Sequence, residues 1–264
     1  MQDEKKTSNE HFIPRFYQRY WECEDKGFLW KLDTEYPRKQ IRKKAISSNC
    51  SVENLYEGDI NNPDNAFERL YGAFENEIST KYKRFIEGRS CLQHINEYNK
   101  KLIVRMFANI SSRHELNLYR NRKNNVLSSM FTLGIEDKKI DHRVMQNFVA
   151  ISQGGVIDED ECILIDEIME YDMQVLVANK PDIIFSDCII HQMFGREELF
   201  FPICPTMLAY MTKNIKNMNG QIRKITREEY ERYIRYLIEF PCVTKLYASN
   251  KNVLEKIRET YYNG

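Results

Sequence analysis

Glycine and proline are both scarce, ten and seven in 264 residues. That scarcity excludes collagen-like, linker-rich and low-complexity chains. Neither of the glycine-dependent phosphate loops, GxxxxGK[ST] or GxGxxG, occurs. The one Gly-Gly pair, Gly154-Gly155, falls where a helix is expected to end. P-loop NTPases and dinucleotide enzymes are thereby removed, and any phosphate chemistry has to rest on side chains. A GxSxG elbow and an HExxH pair are missing too, which removes α/β-hydrolases and zincins. The seven cysteines are odd in number and form no CxxC pair. Such usage suits a reduced chain better than a disulfide framework or a zinc finger. No apolar run reaches the roughly 18 residues of a membrane helix, and the opening MQDEKKTSNEH has no apolar signal core. The expectation is a cytoplasmic protein with no membrane partner.

Apolar residues are not scarce: 42% are hydrophobic and 12% aromatic. That is ample for a core and argues against disorder. The charge balance of 39 basic against 39 acidic residues conceals a pattern. Residues 151–200 hold twelve acidic and two basic groups, a net −10, between flanking segments of +5 each. A uniformly basic nucleic-acid binder is excluded, but a local phosphate site is not.

Along the chain, Tyr17, Tyr20 and Trp21 follow Pro14 at helical spacing, with Pro14 suited to a first turn. Phe28–Leu32 reads as a short strand, with Lys39–Ile46 returning antiparallel. Asn62-Pro63-Asp64 starts the clearest helix, over 62–87, whose stripe carries Phe67, Leu70, Tyr71, Phe74, Ile78, Tyr82, Phe85 and Ile86. Further helices are expected over Gln93–Tyr119, Asp141–Ser152 and Asp158–Tyr171, the last strongly acidic. The runs Met173–Ala178, Ile183–Ser186, Leu199–Cys204 and Met207–Thr212 read as strands of a small antiparallel sheet. Thr226-x-x-Glu229 is a capping box that opens a helix through Ile238, and Asn250–Tyr261 reads as another. The fold class expected is α+β, mainly helical with a small antiparallel sheet. A polar tail over 1–10 is expected to precede a single α+β domain over 11–264.

Few motifs carry chemistry. Pro181-Asp182 resembles the opening of a restriction-type nuclease site, but the second carboxylate with its lysine two residues on is missing. Arg89 and His94 have a spacing that chance alone supplies about once in such a chain. Asp187 and His191 are four apart and would share a helical face, as a base or a metal pair needs. The basic run Arg38–Lys44 alternates as a solvated edge strand does, and also offers a phosphate-binding role. Arg113 is the most telling residue. Counted from Leu102, Met106 and Ile110 it lies on an apolar stripe, where an arginine needs an anion or a carboxylate. Glu68 and Glu75 lie seven apart on the preceding helix, within reach if the two helices pack antiparallel. Such a Glu–Arg contact is either a structural clamp or the polar floor of a site.

The segment His11 to Tyr17 (HFIPRFY) resembles the opening of the bacterial domain of unknown function 4238 family. The resemblance continues through Asn54-Leu55-Tyr56, the helix of Glu68 and Glu75, Arg113, Ile184 to Asp187, and Phe201 to Pro205. It implies a single α+β domain in a bacterial cytosol, without an agreed activity. It also implies a shared polar set of His11, Glu68, Glu75, Arg113 and Asp187, with Arg15 inside the opening segment.

Two functions are expected from different classes. The first is a hydrolase acting on nucleic acid or nucleotide phosphate, as a metal-assisted phosphodiesterase or nuclease. There Glu75 and Asp187 would hold a divalent metal, His11 would be the base, and Arg15 and Arg113 would bind the substrate phosphate. The second is a non-catalytic module. In it Glu68, Glu75 and Arg113 form a structural clamp, and the acidic helix 158–172 docks a basic protein partner. A ligand sensor with an aromatic pocket of Tyr17, Trp21 and Trp30 is a variant of the second.

Overall fold

A computed structural model describes residues 9–35, 40–53, 66–88, 94–113, 165, 168–189, 198–213, 219–240 and 243–262. The expected helix 141–152 lies outside these residues, as do 158–164, 166 and 167 of the acidic segment 158–172, Arg89 and His191.

The helices follow the apolar spacing. Pro14 is the N-cap of a single turn, α1 (Arg15–Gln18), which tightens into a 3-10 turn at Arg19–Trp21. The two long helices are α2 (Ala66–Glu87) and α3 (Glu97–Arg113). Their facing stripes bury Tyr71, Phe74, Ile78 and Tyr82 against Leu102, Met106, Phe107 and Ile110. At the other end of the chain, α4 (Arg227–Ile238) opens with the expected capping box. The Thr226 hydroxyl accepts from the Glu229 amide, and the Glu229 carboxylate accepts from the Thr226 amide. Asn250 caps α5 (Lys251–Tyr261) through its bond from the Asn252 amide.

The strands overturn the expectation of a mainly helical chain with one small sheet. Among the described residues there are three sheets, of two, four and four strands. β1 (Asn9–His11) pairs antiparallel with β4 (Ser51–Glu53). One four-stranded sheet runs β7 (Glu198–Cys204), β8 (Met207–Thr212), β5 (Asp172–Val177), β9 (Ile222–Lys224), with β9 parallel to β5. The other runs β3 (Arg42–Ala45), β2 (Phe28–Asp33), β10 (Lys245–Ala248), β6 (Phe185–Ser186), all antiparallel. The four runs expected to form one sheet are thus divided: β6 leaves the other three and pairs with β10. The physical reason is length. Strands of two to four residues are too short for a period of two to stand out, and their partners are distant in sequence.

The two larger sheets each bury apolar residues on both faces. On the β7–β8–β5–β9 sheet, Met173, Val175, Leu199, Phe201 and Ala209 face α2 and α3, while Leu176, Phe200 and Leu208 face Tyr233 and Leu237 of α4. On the β3–β2–β10–β6 sheet, Leu29, Phe185 and Tyr247 join the first cluster, while Leu32, Leu246 and Ala248 pack with Leu254 and Ile257 of α5. Pro202 breaks the ladder of edge strand β7, and the register shifts between Pro202 and Cys204. Proline removes a donor and is tolerated at such edges and bulges. The carbonyls there take other donors. The Tyr17 hydroxyl donates to Pro202, and that of Tyr82 to Ile203 at 2.9 Å.

Candidate functional site

The apolar stripe of α3 carries Arg113 into the interior, where it is 1% exposed. Its Nη1 donates to Glu75 Oε1 on α2 at 2.5 Å. The guanidinium carbon lies 3.8 Å from the centroid of the Tyr71 ring, one helical turn before Glu75. Its Nε and Nη2 are buried with no hydrogen-bond partner among the described residues. Two donors of a buried cation are therefore left for an acceptor, in a place where leaving them unmet is costly. A second ion pair joins the same helices: Arg105 Nη1 reaches Glu77 at 3.1 Å, with its guanidinium over Phe74.

His11, at the end of β1, is electrostatically coupled to this place. Burial lowers its pKa most. The Ile46 carbonyl and Glu75 act against that shift, and Arg15 acts with it. The ring Nε2 stands 3.3 Å from the Ile46 carbonyl, which can only accept. In that contact the ring nitrogen therefore donates. Arg15 opens α1 and is exposed. The structure therefore brings Glu75 onto Arg113, with the charges of Arg15 and Glu75 acting on His11. The side chain of Glu68 lies outside what is described.

Asp187 makes its contacts elsewhere. It is 5% exposed just after β6, and β10 and the residue before it occupy its carboxylate. Oδ1 accepts from the Thr244 and Lys245 amides at 3.0 Å each. Oδ2 accepts from the Thr244 hydroxyl at 2.5 Å and lies 3.6 Å from Lys245 Nζ. Burial pushes its carboxyl up, against the pull of Thr244 and Lys245. With both oxygens taken by Thr244 and Lys245, Asp187 ties the residue after β6 to the start of β10. Among the described residues no three His, Cys, Asp or Glu side chains gather as a metal centre requires.

The remaining sequence candidates are also placed. Tyr17 and Trp21 are fully buried, and Trp21 donates to the Ile183 carbonyl at 2.9 Å. Trp30 belongs to the second cluster, flanked by Lys43 and Lys251. Trp30 therefore packs with a different cluster from Tyr17 and Trp21. His94 forms a bridge with Gln221 and reaches the Asn219 carbonyl at 3.0 Å. Asp182 joins Lys180 in a cleft of about 640 Å³ between α4 and α5. Sequence reasoning missed the Tyr71 stack, because Tyr71 shares the stripe of Phe74 and Ile78 and looks like core.

The sequence model of a family described as Protein of unknown function (DUF4238) matches residues 9–252. No curated protein and no solved structure matches the chain.

Proposed function

The chain belongs to the family of proteins of unknown function DUF4238, and from that premise we propose that it is a hydrolase acting on the phosphate of a nucleotide or nucleic acid. The observation that carries this reading is the buried Arg113, with Nη1 committed to Glu75 and two further donors unmet among the described residues. A phosphate oxygen is the acceptor that a planar guanidinium fork fits best. In this reading Arg113 and Arg15 hold the phosphate and Glu75 fixes the guanidinium. His11, kept neutral by burial, takes a proton from the attacking water. The water oxygen bonds to phosphorus, the bond from phosphorus to the leaving oxygen breaks, and that oxygen is protonated from solvent. Asp187 has no part in the chemistry. We place the protein in a reducing bacterial cytosol, a placement supported by the free thiols of Cys23, Cys50, Cys188 and Cys204. Among the described residues no helix is long and apolar enough to cross a membrane.

The second reading, a non-catalytic or ligand-sensing module with a Glu75–Arg113 clamp, is favoured by the parallel Arg105–Glu77 pair across the same helices. The acidic segment 158–172 would dock its protein partner.

Purified full-length chain incubated with RNA, DNA and nucleotides, with and without Mg²⁺ or Mn²⁺, tests both. The hydrolase reading expects product release that falls by about 10²-fold or more in His11→Ala, with thermal melts showing that the variant is folded. Equal turnover in wild type and His11→Ala removes His11 as the base. A folded wild type with no turnover on any substrate supports the module.

A further inference from the structure

One face of the β3–β2–β10 sheet carries a concentration of positive charge that neither reading above uses. Directly paired residues of neighbouring strands share a face. The pairing of Arg42 with Lys31 and of Lys44 with Leu29 therefore puts both β3 cations beside Lys31. Lys31 stands opposite Tyr247, and Asp33 opposite Lys245, on that same face. Lys31 is only 6% exposed. Its Nζ lies 4.0 Å from Asp33 Oδ2, too far for a hydrogen bond. Lys245 lies 3.6 Å from Asp187, whose oxygens already serve Thr244 and two amides. Arg42 and Lys44 make no ion pair among the described residues.

Four cations thus share two carboxylates. Like charges directly opposite in a sheet repel, and an ammonium as buried as Lys31 is costly without a counter-charge. The same neighbours are felt at Lys31. Burial lowers its pKa most, Arg42, Lys245 and Lys44 push the same way, and Asp33 opposes them. Lys43, between them in sequence, faces the other side and is satisfied there by Glu24 and Asp25.

We propose that this face binds a compact dianionic oxyanion, inorganic phosphate or the terminal phosphate of a phosphomonoester, with Lys31 as its floor and Arg42, Lys44 and Lys245 around it. A charge excess of two matches a dianion. The recessed Lys31 favours a compact group over a strand of nucleic acid, which spreads its contacts along a line of cations. Arg42, on β3, is exposed and the Lys245 side chain is 40% exposed, so the face reaches solvent at those two positions. This site is independent of the Arg113 site and stands whether or not the hydrolase reading does.

Calorimetric titration and thermal melts of the full chain test it. The ligands are sodium phosphate, a nucleoside 5′-monophosphate, a short single-stranded oligonucleotide without a terminal phosphate, and sodium chloride at matched ionic strength. Phosphate or the monophosphate is expected to bind and to raise Tm where chloride does not. Tighter binding of phosphate identifies the free ion as the ligand, and tighter binding of the nucleotide identifies the monoester. Arg42→Gln, at an exposed position, is expected to weaken Kd by about tenfold or more, through the loss of one charge-assisted contact. Lys31→Met, which retains the aliphatic stem, is expected to abolish binding and to raise the Tm of the unliganded protein. A wild-type response equal to that of chloride overturns the proposal, as does an unchanged Kd in Arg42→Gln. Binding of the oligonucleotide alone also overturns it.

Discussion

A guanidinium on the apolar stripe of a helix has to be answered by its neighbours, and Arg113 is answered by Glu75 on one nitrogen and by the Tyr71 ring on its face. Glu75→Gln keeps the shape and removes the counter-charge. It is expected to lower unfolding free energy by about 3 kcal/mol, the lower end for a broken buried pair because Glu75 is partly exposed. Arg113→Met with Glu75→Leu should recover most of that loss in urea titrations, since neither charge is then left alone. A double variant no more stable than Glu75→Gln would show that the pair is not the cause. The position of Arg113 was legible in the sequence because its spacing from Leu102, Met106 and Ile110 contradicts its charge. The role of Asp187 was not, because an aspartate that takes amides from a distant strand has no local signature. His11 gives a pH prediction of definite sign. Burial lowers its pKa from 6.5, so the unfolded chain takes up a proton that the folded chain resists. Stability attributable to His11 therefore falls as pH drops below about 6.5. The stability difference between wild type and His11→Gln should shift toward the variant between about pH 8 and about pH 5. A flat difference over that range would remove the burial argument.

At the scale of single elements, α4 shows how a local signal becomes a tertiary joint. The Glu229 carboxylate that completes the capping box also takes two nitrogens of Arg223, next to β9 residue Lys224. Arg223 Nε in turn reaches Gln174 on β5 at 3.1 Å. Arg223, ahead of the Thr226 amide, holds the Glu229 carboxyl down at about 2, against an ordinary 4.5. The stabilisation it supplies is present above the ordinary value and is lost as pH falls from there toward about 2. Acid titrations of Glu229→Gln should lack that loss. Thr226→Ala should cost about 1 kcal/mol at neutral pH, the usual loss for an N-cap hydroxyl. The cap was legible because its two residues stand three apart. The strand it is tied to was not, since Ile222–Lys224 offers three residues without alternation. The same limit hid β10. Lys245–Ala248 reads as nothing by itself and becomes a strand only between β2 and β6.

Over the whole molecule, the two apolar clusters share both large sheets, so neither can lose its helices without baring a face of the other. The chain has two tryptophans, one in each cluster: Trp21 against Tyr17 and Phe185, and Trp30 beside α5. Trp21→Phe and Trp30→Phe each leave a single tryptophan, which can be excited selectively at the red edge of the absorption band. Each variant is expected to melt at one temperature by fluorescence and by far-ultraviolet circular dichroism. Midpoints several degrees apart within one variant would mean that the layers come apart separately. The layers themselves were largely hidden in the sequence, because apolar spacing tells which residues turn inward but not which sheet they join. The pairing of Trp30 with Ala248 has a consequence for the chain's synthesis. The β2–β3 hairpin leaves the ribosome well before its inner neighbour β10, which lies far along the chain. Until then one edge of β2 stands bare, an opening for chaperones and for mispairing with other nascent chains. Closure of such a long-range contact is slow, and a premature stop ahead of β10 would leave β2 without its inner partner.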